Sequence, residues 1–137
     1  MDNDRVKHSI SVARRMVEIG KNYNLSNEEL EELFVLGLNH DIGYEFCDGR
    51  DHNVVGGNIL KRSNYKYWRE LYYHGVVQDE YSSLYLKILN AADMQVDKYG
   101  NVVGFEERLK DIKNRYGEDS VVYKRCVLLI EFIKSEV

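Results

Sequence analysis

An all-α fold is the architecture this sequence predicts: a compact bundle of about six or seven helices. Three observations carry that expectation. Apolar residues recur at steps of three and four along most of the chain, and no segment alternates between polar and apolar residues next to a confident hairpin turn. Proline is absent from all 137 residues, while Gly20, Gly43, Gly75, Gly100 and Gly117 supply the punctuation.

Taken in order, Val6, Ile10, Ala13 and Val17 share one face of a first helix that should stop near Gly20, with His8 beside the stripe. Ser26 followed by Glu29 is a capping-box signal for a second helix. Its Leu30, Leu33, Phe34, Gly37 and Leu38 lead to His40 and Asp41 before Gly43 ends it. Residues 44–51 read as a polar loop. His52, Val55, Gly56, Ile59 and Leu60 then form one helical face, with Gly56 removing bulk one turn after His52. Tyr67, Leu71 and His74 give a short stripe broken at Gly75, and a longer helix is expected from about Asp79 to Val96. Phe105, Leu109, Ile112 and Tyr116 mark the next helix. Val122, Cys126, Leu129 and Ile133 mark the last, behind a cap at Asp119 or Ser120.

Length and composition narrow the function. A chain of 137 residues is the size of one domain, here expected to span 1–137 with terminal packing helices over about 103–136. A net charge of −4 gives no general reason to bind long nucleic acid or an anionic membrane, whereas a local basic group could still hold a small phosphorylated molecule. The apolar runs 33–38 and 127–133 are too short to span a bilayer, and the opening MDNDRVKHS lacks a signal peptide's apolar core, so a cytoplasmic protein is expected. Cys47 and Cys126 have no disulfide or zinc-knuckle spacing and read as free thiols.

All four histidines fall into one array: His8, His40 followed by Asp41, His52 and His74, closing on Asp93 in an Ala-Ala-Asp segment. Imidazole nitrogens and carboxylate oxygens can jointly hold a divalent first-row transition ion and leave positions for water and a phosphate oxygen. Asp93, beside small residues on an apolar face, needs a compensating charge, which a cation provides. Blander readings stand beside this one. His8 could be a hydrogen-bonded helix-face histidine, His40 and Asp41 a helix-end cap or ion pair, Asp93 a local cap or pair, and His52 and His74 hydrogen-bonded core residues or solvent-exposed ones.

The segments HSISVA (8–13), LNHDIG (38–43) and NAADMQVD (90–97) resemble the HD-domain superfamily of metal-dependent phosphohydrolases, over a motif-bearing core of residues 5–97. The resemblance implies that His8, His40, Asp41 and Asp93 form the core metal set. HNVVGGNIL (52–60) and LYYHG (71–75) resemble segments that hold a second ion in some branches, which adds His52 and His74. Asp41 would then bridge the ions, with His8, His40 and Asp93 on one side and His52 and His74 on the other. One or two ions of Mn, Fe, Zn or Ni are the implied cofactor. Arg5, three residues before His8, is similar to the Arg-x-x-His opening of several HD nucleotide hydrolases and is the first candidate for a phosphate contact. Arg50, Lys61 and Arg62 are weaker ones.

Departures from the family narrow the substrate. The cyclic-dinucleotide branch has a lysine where this chain has Tyr44, a doubled histidine where it has Tyr73 and His74, and a Gly-Tyr-Pro-type segment that it lacks, which disfavours that reaction. The implied function is a metal-dependent phosphohydrolase acting on a nucleotide, nucleoside polyphosphate or other small phosphoester by metal-activated water. Asp41 and Arg5 are its candidate catalytic residues, and His74 is a general acid if it is not a ligand. The alternative is a metal- or nucleotide-binding regulatory HD domain without turnover; a structural module, with its terminal helices serving a homodimer, is a third reading. Asp97 is a candidate for orienting a ligand or water. Tyr44, Tyr72 and Tyr73 read as packing, and Lys87, Lys98, Arg108 and Lys110 as solvated.

Overall fold

The computed structural model describes residues 2–47 and 51–135, and within them the chain forms seven α-helices and a short 3-10 turn. Among the described residues there is no strand, only a single antiparallel bridge between Val96 and Val102.

Helix α1 (Asn3–Lys21) starts where the Asp2 side chain accepts the Arg5 N–H at 2.8 Å. Helix α2 (Asn27–Asn39) opens on the expected capping box: Ser26 Oγ accepts from the Glu29 N–H, and the Glu29 carboxylate accepts from the Ser26 N–H. Gly37 lies against Ala13 and Gly20 against Leu33, so the two helices run antiparallel. A Cβ at Gly37 would come within 2.5 Å of Ala13 Cα. Only glycine permits that approach, and it carries the middle of α1 against the end of α2.

A 3-10 turn at Ile42–Glu45 leads toward α3 (His52–Arg62), which packs on α4 (Trp68–Tyr73). That contact too depends on a missing side chain, because a Cβ at Gly57 would lie 2.8 Å from Tyr72 Cα. Asn53 Nδ2 reinforces the pair by donating to the Tyr72 carbonyl at 2.7 Å.

Helix α5 (Leu84–Asp93) is shorter than the sequence pattern suggests. Ser83 Oγ accepts the Leu86 N–H and starts the helix there, while Gln78 Oε1 accepts the N–H groups of Glu80 and Tyr81 and holds that stretch as a turn. The apolar stripe persists beyond Asp93, but its backbone turns away to meet residues 102 and 103. Val12, Met16, Leu33, Leu36, Leu71, Ile88, Leu89, Ala92 and Val96 form the main core. Tyr67 and Tyr85 donate to Glu32, and Tyr81 to Glu70, so several tyrosines tie helices together through carboxylates as well as by packing.

Helices α6 (Phe105–Tyr116) and α7 (Val121–Ser135) close a second apolar cluster of Met94, Ile112, Leu129, Ile130 and Ile133. Of the two residues considered as the cap of α7, Ser120 fills the role, accepting the Tyr123 N–H at 3.1 Å. Both cysteines are free thiols. No described helix is long and apolar enough to cross a membrane.

Candidate metal centre

The fold brings His8, His40, Asp41, His52, His74 and Asp93 to one place. His8 projects from α1, His40 is the C-cap of α2, His52 the first residue of α3, His74 the C-cap of α4 and Asp93 the last residue of α5. Adjacent residues inside a helix diverge by roughly 100°, so His40 and Asp41 need a break in the backbone to converge. The helix end supplies it: His40 is still helical at φ −60°, ψ −30°, whereas Asp41 has left the helix at φ −104°, ψ 16°. His40 Nε2 then lies 3.1 Å from Asp41 Oδ2.

Asp41 divides its two oxygens between two sets of partners. Oδ2 faces His40 Nε2 and, at 3.6 Å, His8 Nε2; Oδ1 faces His52 Nε2 at 3.2 Å and His74 Nε2 at 3.5 Å. Asp93 Oδ1 completes the first set, 2.9 Å from His8 Nε2 and 3.4 Å from His40 Nε2. In the second set the Nε2 atoms of His52 and His74 are 3.3 Å apart.

Hydrogen bonding settles which nitrogens face inward. His8 Nδ1 donates to the Asp97 carbonyl, His40 Nδ1 to the Gly37 carbonyl and His74 Nδ1 to the Leu71 carbonyl, at 2.9, 2.7 and 2.6 Å. A carbonyl can only accept, so each of these nitrogens carries its proton, and in the neutral ring Nε2 presents a lone pair to the cluster. With every ring neutral, lone pairs of nitrogen would face lone pairs of carboxylate, so the cluster calls for a cation, either a proton on an Nε2 or a metal ion. His40 Nε2, fully buried, has no hydrogen-bond partner despite the two nearby carboxylates. A cation converts these repulsions into attraction.

The electrostatics agree. Burial opposes a charged His40, yet Asp41 and Asp93 outweigh it and hold its pKa well above the usual imidazole value. Burial likewise opposes the two carboxylates, and the positive charge on His40, with the histidine hydrogen bonds, pulls both well below their usual range. The C-terminal ends of α2, α4 and α5 all point here, and helix C-termini favour positive charge. Three triads, His8–His40–Asp41, His40–His74–Asp93 and Asp41–His52–His74, each bring donor atoms within 4.8 Å of one another. Their nitrogen and oxygen donors suit a divalent metal ion.

The HD domain family matches residues 5–129. The chain belongs to the HD-domain family. No curated protein matches it, and neither does any solved structure. HD domains are typically metal-dependent hydrolases, and the His–Asp cluster described above is able to hold a metal. The matched span runs past residue 97, where the sequence motifs end, and takes in α6 and part of α7.

Around the HD centre the structure sorts the remaining candidates. Arg5 lies with its guanidinium 3.4 Å from the centroid of the Tyr44 ring, and that ring stacks on His52 at 4.2 Å with an interplanar angle of 20°. From the sequence Tyr44 reads as a packing residue, and its one distinguishing signal there is the departure from the family's lysine. Burial, together with the nearby Asp41 charge, raises the Tyr44 phenol to about 12, with Arg5 opposing. Asp97 does orient a ligand candidate, but through its backbone carbonyl on His8; its carboxylate accepts from Tyr99 and Asn101 in the following turn.

Arg108 corrects the expectation of a solvated side chain: it is only 13% exposed, and its Nε and Nη1 are buried without a hydrogen-bond partner. The reason is register, since position 108 falls on the α6 stripe formed with Phe105, Leu109 and Ile112. Lys61 and Arg62 end α3, and Lys61 lies nine positions after His52 on that helix, a rise of about 14 Å. The Lys61 ammonium packs over Trp68, 4.7 Å from the ring centroid. Arg50 lies outside the described residues.

Proposed function

We propose that this HD domain is a metal-dependent phosphohydrolase acting on a nucleotide, nucleoside polyphosphate or other small phosphoester, with two divalent transition ions held on either side of Asp41. The observation that carries the reading is the division of the Asp41 carboxylate, with Oδ2 toward His8 and His40 and Oδ1 toward His52 and His74. A carboxylate shared in this way suits a bridging ligand better than a simple ion pair.

His8, His40 and Asp93 would hold one ion and His52 and His74 the other. The metal, when bound, supplies an activated water and neutralises charge on the phosphate under attack. The protein's own contribution is geometric. Carbonyls of residues 97, 37 and 71 fix the tautomers of His8, His40 and His74, so their Nε2 atoms are committed inward before any ion arrives. Arg5 stands at the rim, its side chain 39% exposed, and is the cation that would meet a substrate phosphate. His74 is an unsuitable general acid in this reading: Nδ1 is committed to Leu71 and Nε2 to the cluster, and one nitrogen cannot both bind metal and transfer a proton.

The test is metal content per chain with an anomalous map, combined with turnover assays on nucleoside polyphosphates, phosphodiesters and phosphomonoesters. Two ions bounded by the six residues, and turnover that falls to background in Asp41→Ala, are expected. Two ions without turnover of any phosphoester would favour the regulatory reading, and no ion after reconstitution would sink the metal mechanism.

A further inference from the structure

We propose that Tyr44 is a positioning residue of the metal centre, its ring holding the His52 imidazole on one face and the Arg5 guanidinium on the other. The proposal rests on the two-ion reading above and deepens it. Arg5 Cζ is 3.4 Å from the Tyr44 centroid and the His52 centroid 4.2 Å from it. Two groups that close to one ring centre cannot share a face without overlapping, so they occupy opposite faces. Arg5, Tyr44 and His52 therefore form a continuous column that begins on α1, passes through the turn after α2 and ends on the first residue of α3.

The column acts where the centre is most open. His52 is 25% exposed, whereas His8, His40 and His74 are 8%, 0% and 1% exposed. A ring stacked on His52 restricts rotation of its imidazole and helps keep Nε2 aimed at Asp41 Oδ1, 3.2 Å away. The backbone gives Tyr44 little room to drift. A Cβ on the neighbouring Gly43 would fall 1.9 Å from the His52 carbonyl oxygen, so the turn lies directly against the start of α3. The opposite face of the same ring fixes Arg5 by cation–π contact, so that the phosphate-binding cation and the His52–His74 half of the centre share one support. A long flexible cation at position 44 would provide charge but no such platform.

The test uses the metal alone as probe. Chelator-stripped wild type, Tyr44→Phe and Tyr44→Ala are titrated calorimetrically with Mn2+, and the melting temperature of each metal-free protein is recorded in chelator. Expected are two ions in wild type and Tyr44→Phe. In Tyr44→Ala one ion should bind as in wild type and the second about 10- to 100-fold more weakly, with all three metal-free proteins melting alike. Two ions of wild-type affinity in Tyr44→Ala would overturn the proposal. So would loss of both ions together with a lowered metal-free melting temperature, which is the signature of a purely structural ring. Fewer than two ions in wild type overturns the two-ion reading itself, and the column's role falls with it.

Discussion

At the scale of single residues, the unusual feature is a buried histidine held between two carboxylates. His40 is raised well above its ordinary 6.5 even though burial acts against its charge, because Asp41 and Asp93 outweigh burial. Both aspartates lie well below their ordinary 3.8 because His40 and the histidine hydrogen bonds outweigh the same penalty. For a raised histidine, stability is fully present below its unfolded value and is lost as pH climbs through the folded one. For a depressed carboxylate, it is present above its unfolded value and is lost as pH falls through the folded one. The metal-free protein should therefore be most stable between about pH 4 and 6.5 and weaken toward alkaline pH. A metal must displace the His40 proton, so ion binding strengthens as pH rises. Melting curves in chelator and in excess Mn2+ should accordingly diverge with increasing pH, the loaded protein gaining on the metal-free one. Parallel curves would mean that no proton is exchanged for metal. Of these residues, the metal candidates were legible in the sequence from their order and chemistry. The split of Asp41 between two partner sets was expected only through the resemblance to two-ion HD domains, because the residues alone do not say which way a carboxylate plane faces.

At the scale of elements, the site exists because helix pairs approach closely enough to bring their ends together. Gly37 against Ala13 joins α1 to α2 and so His8 to His40; Gly57 against Tyr72 joins α3 to α4 and so His52 to His74. A Cβ at Gly57 would meet Tyr72 Cβ at 2.6 Å and Cα at 2.8 Å, and backbone cannot move aside as a flexible side chain can. Gly57→Ala should cost about 1–3 kcal/mol of stability and selectively weaken the ion on the His52–His74 side. Gly37→Ala, with 2.5 Å to Ala13 Cα, should instead weaken the ion on the His8–His40 side. Metal titration of the two variants beside their thermal midpoints checks the pairing; identical effects on both ions would refute it. Most of this level was legible in advance. The capping box at Ser26 and Glu29 and the stripes of α1, α6 and α7 are local signals that tertiary packing does not override. The start of α5 was not legible, since the same periodicity runs through Tyr81 while a Gln78 side chain holds that stretch as a turn. Arg108 was misread for the opposite reason: its chemistry suggests solvent, but its register on α6 places it inward.

At the scale of the whole molecule, metal ligation and stability are expected to be coupled unevenly. The six clustered side chains come from α1 to α5 and the turn after α2, while α6 and α7 contribute none and pack through a separate apolar cluster. Binding to the folded form alone stabilises by RT ln(1 + [L]/Kd), about 2.7 kcal/mol when the metal is at a hundred times its dissociation constant. That free energy raises the cost of any opening that breaks the centre, and leaves untouched an opening that spares it. Separation of α6 and α7 spares every ligand candidate. Their links to the centre run through α5, which packs on α7 and ends at Asp93, and through residues 94–103, where Met94 joins the second cluster and the Asp97 carbonyl holds His8. Amide hydrogen exchange with and without Mn2+ should therefore show protection rising strongly at the end of α2, the start of α3 and the ends of α4 and α5, modestly in residues 94–103, and little in α7. A uniform rise across all seven helices would instead mean that the domain opens only as one cooperative unit, with the terminal hairpin as much a part of the metal centre's support as the helices that carry its ligands.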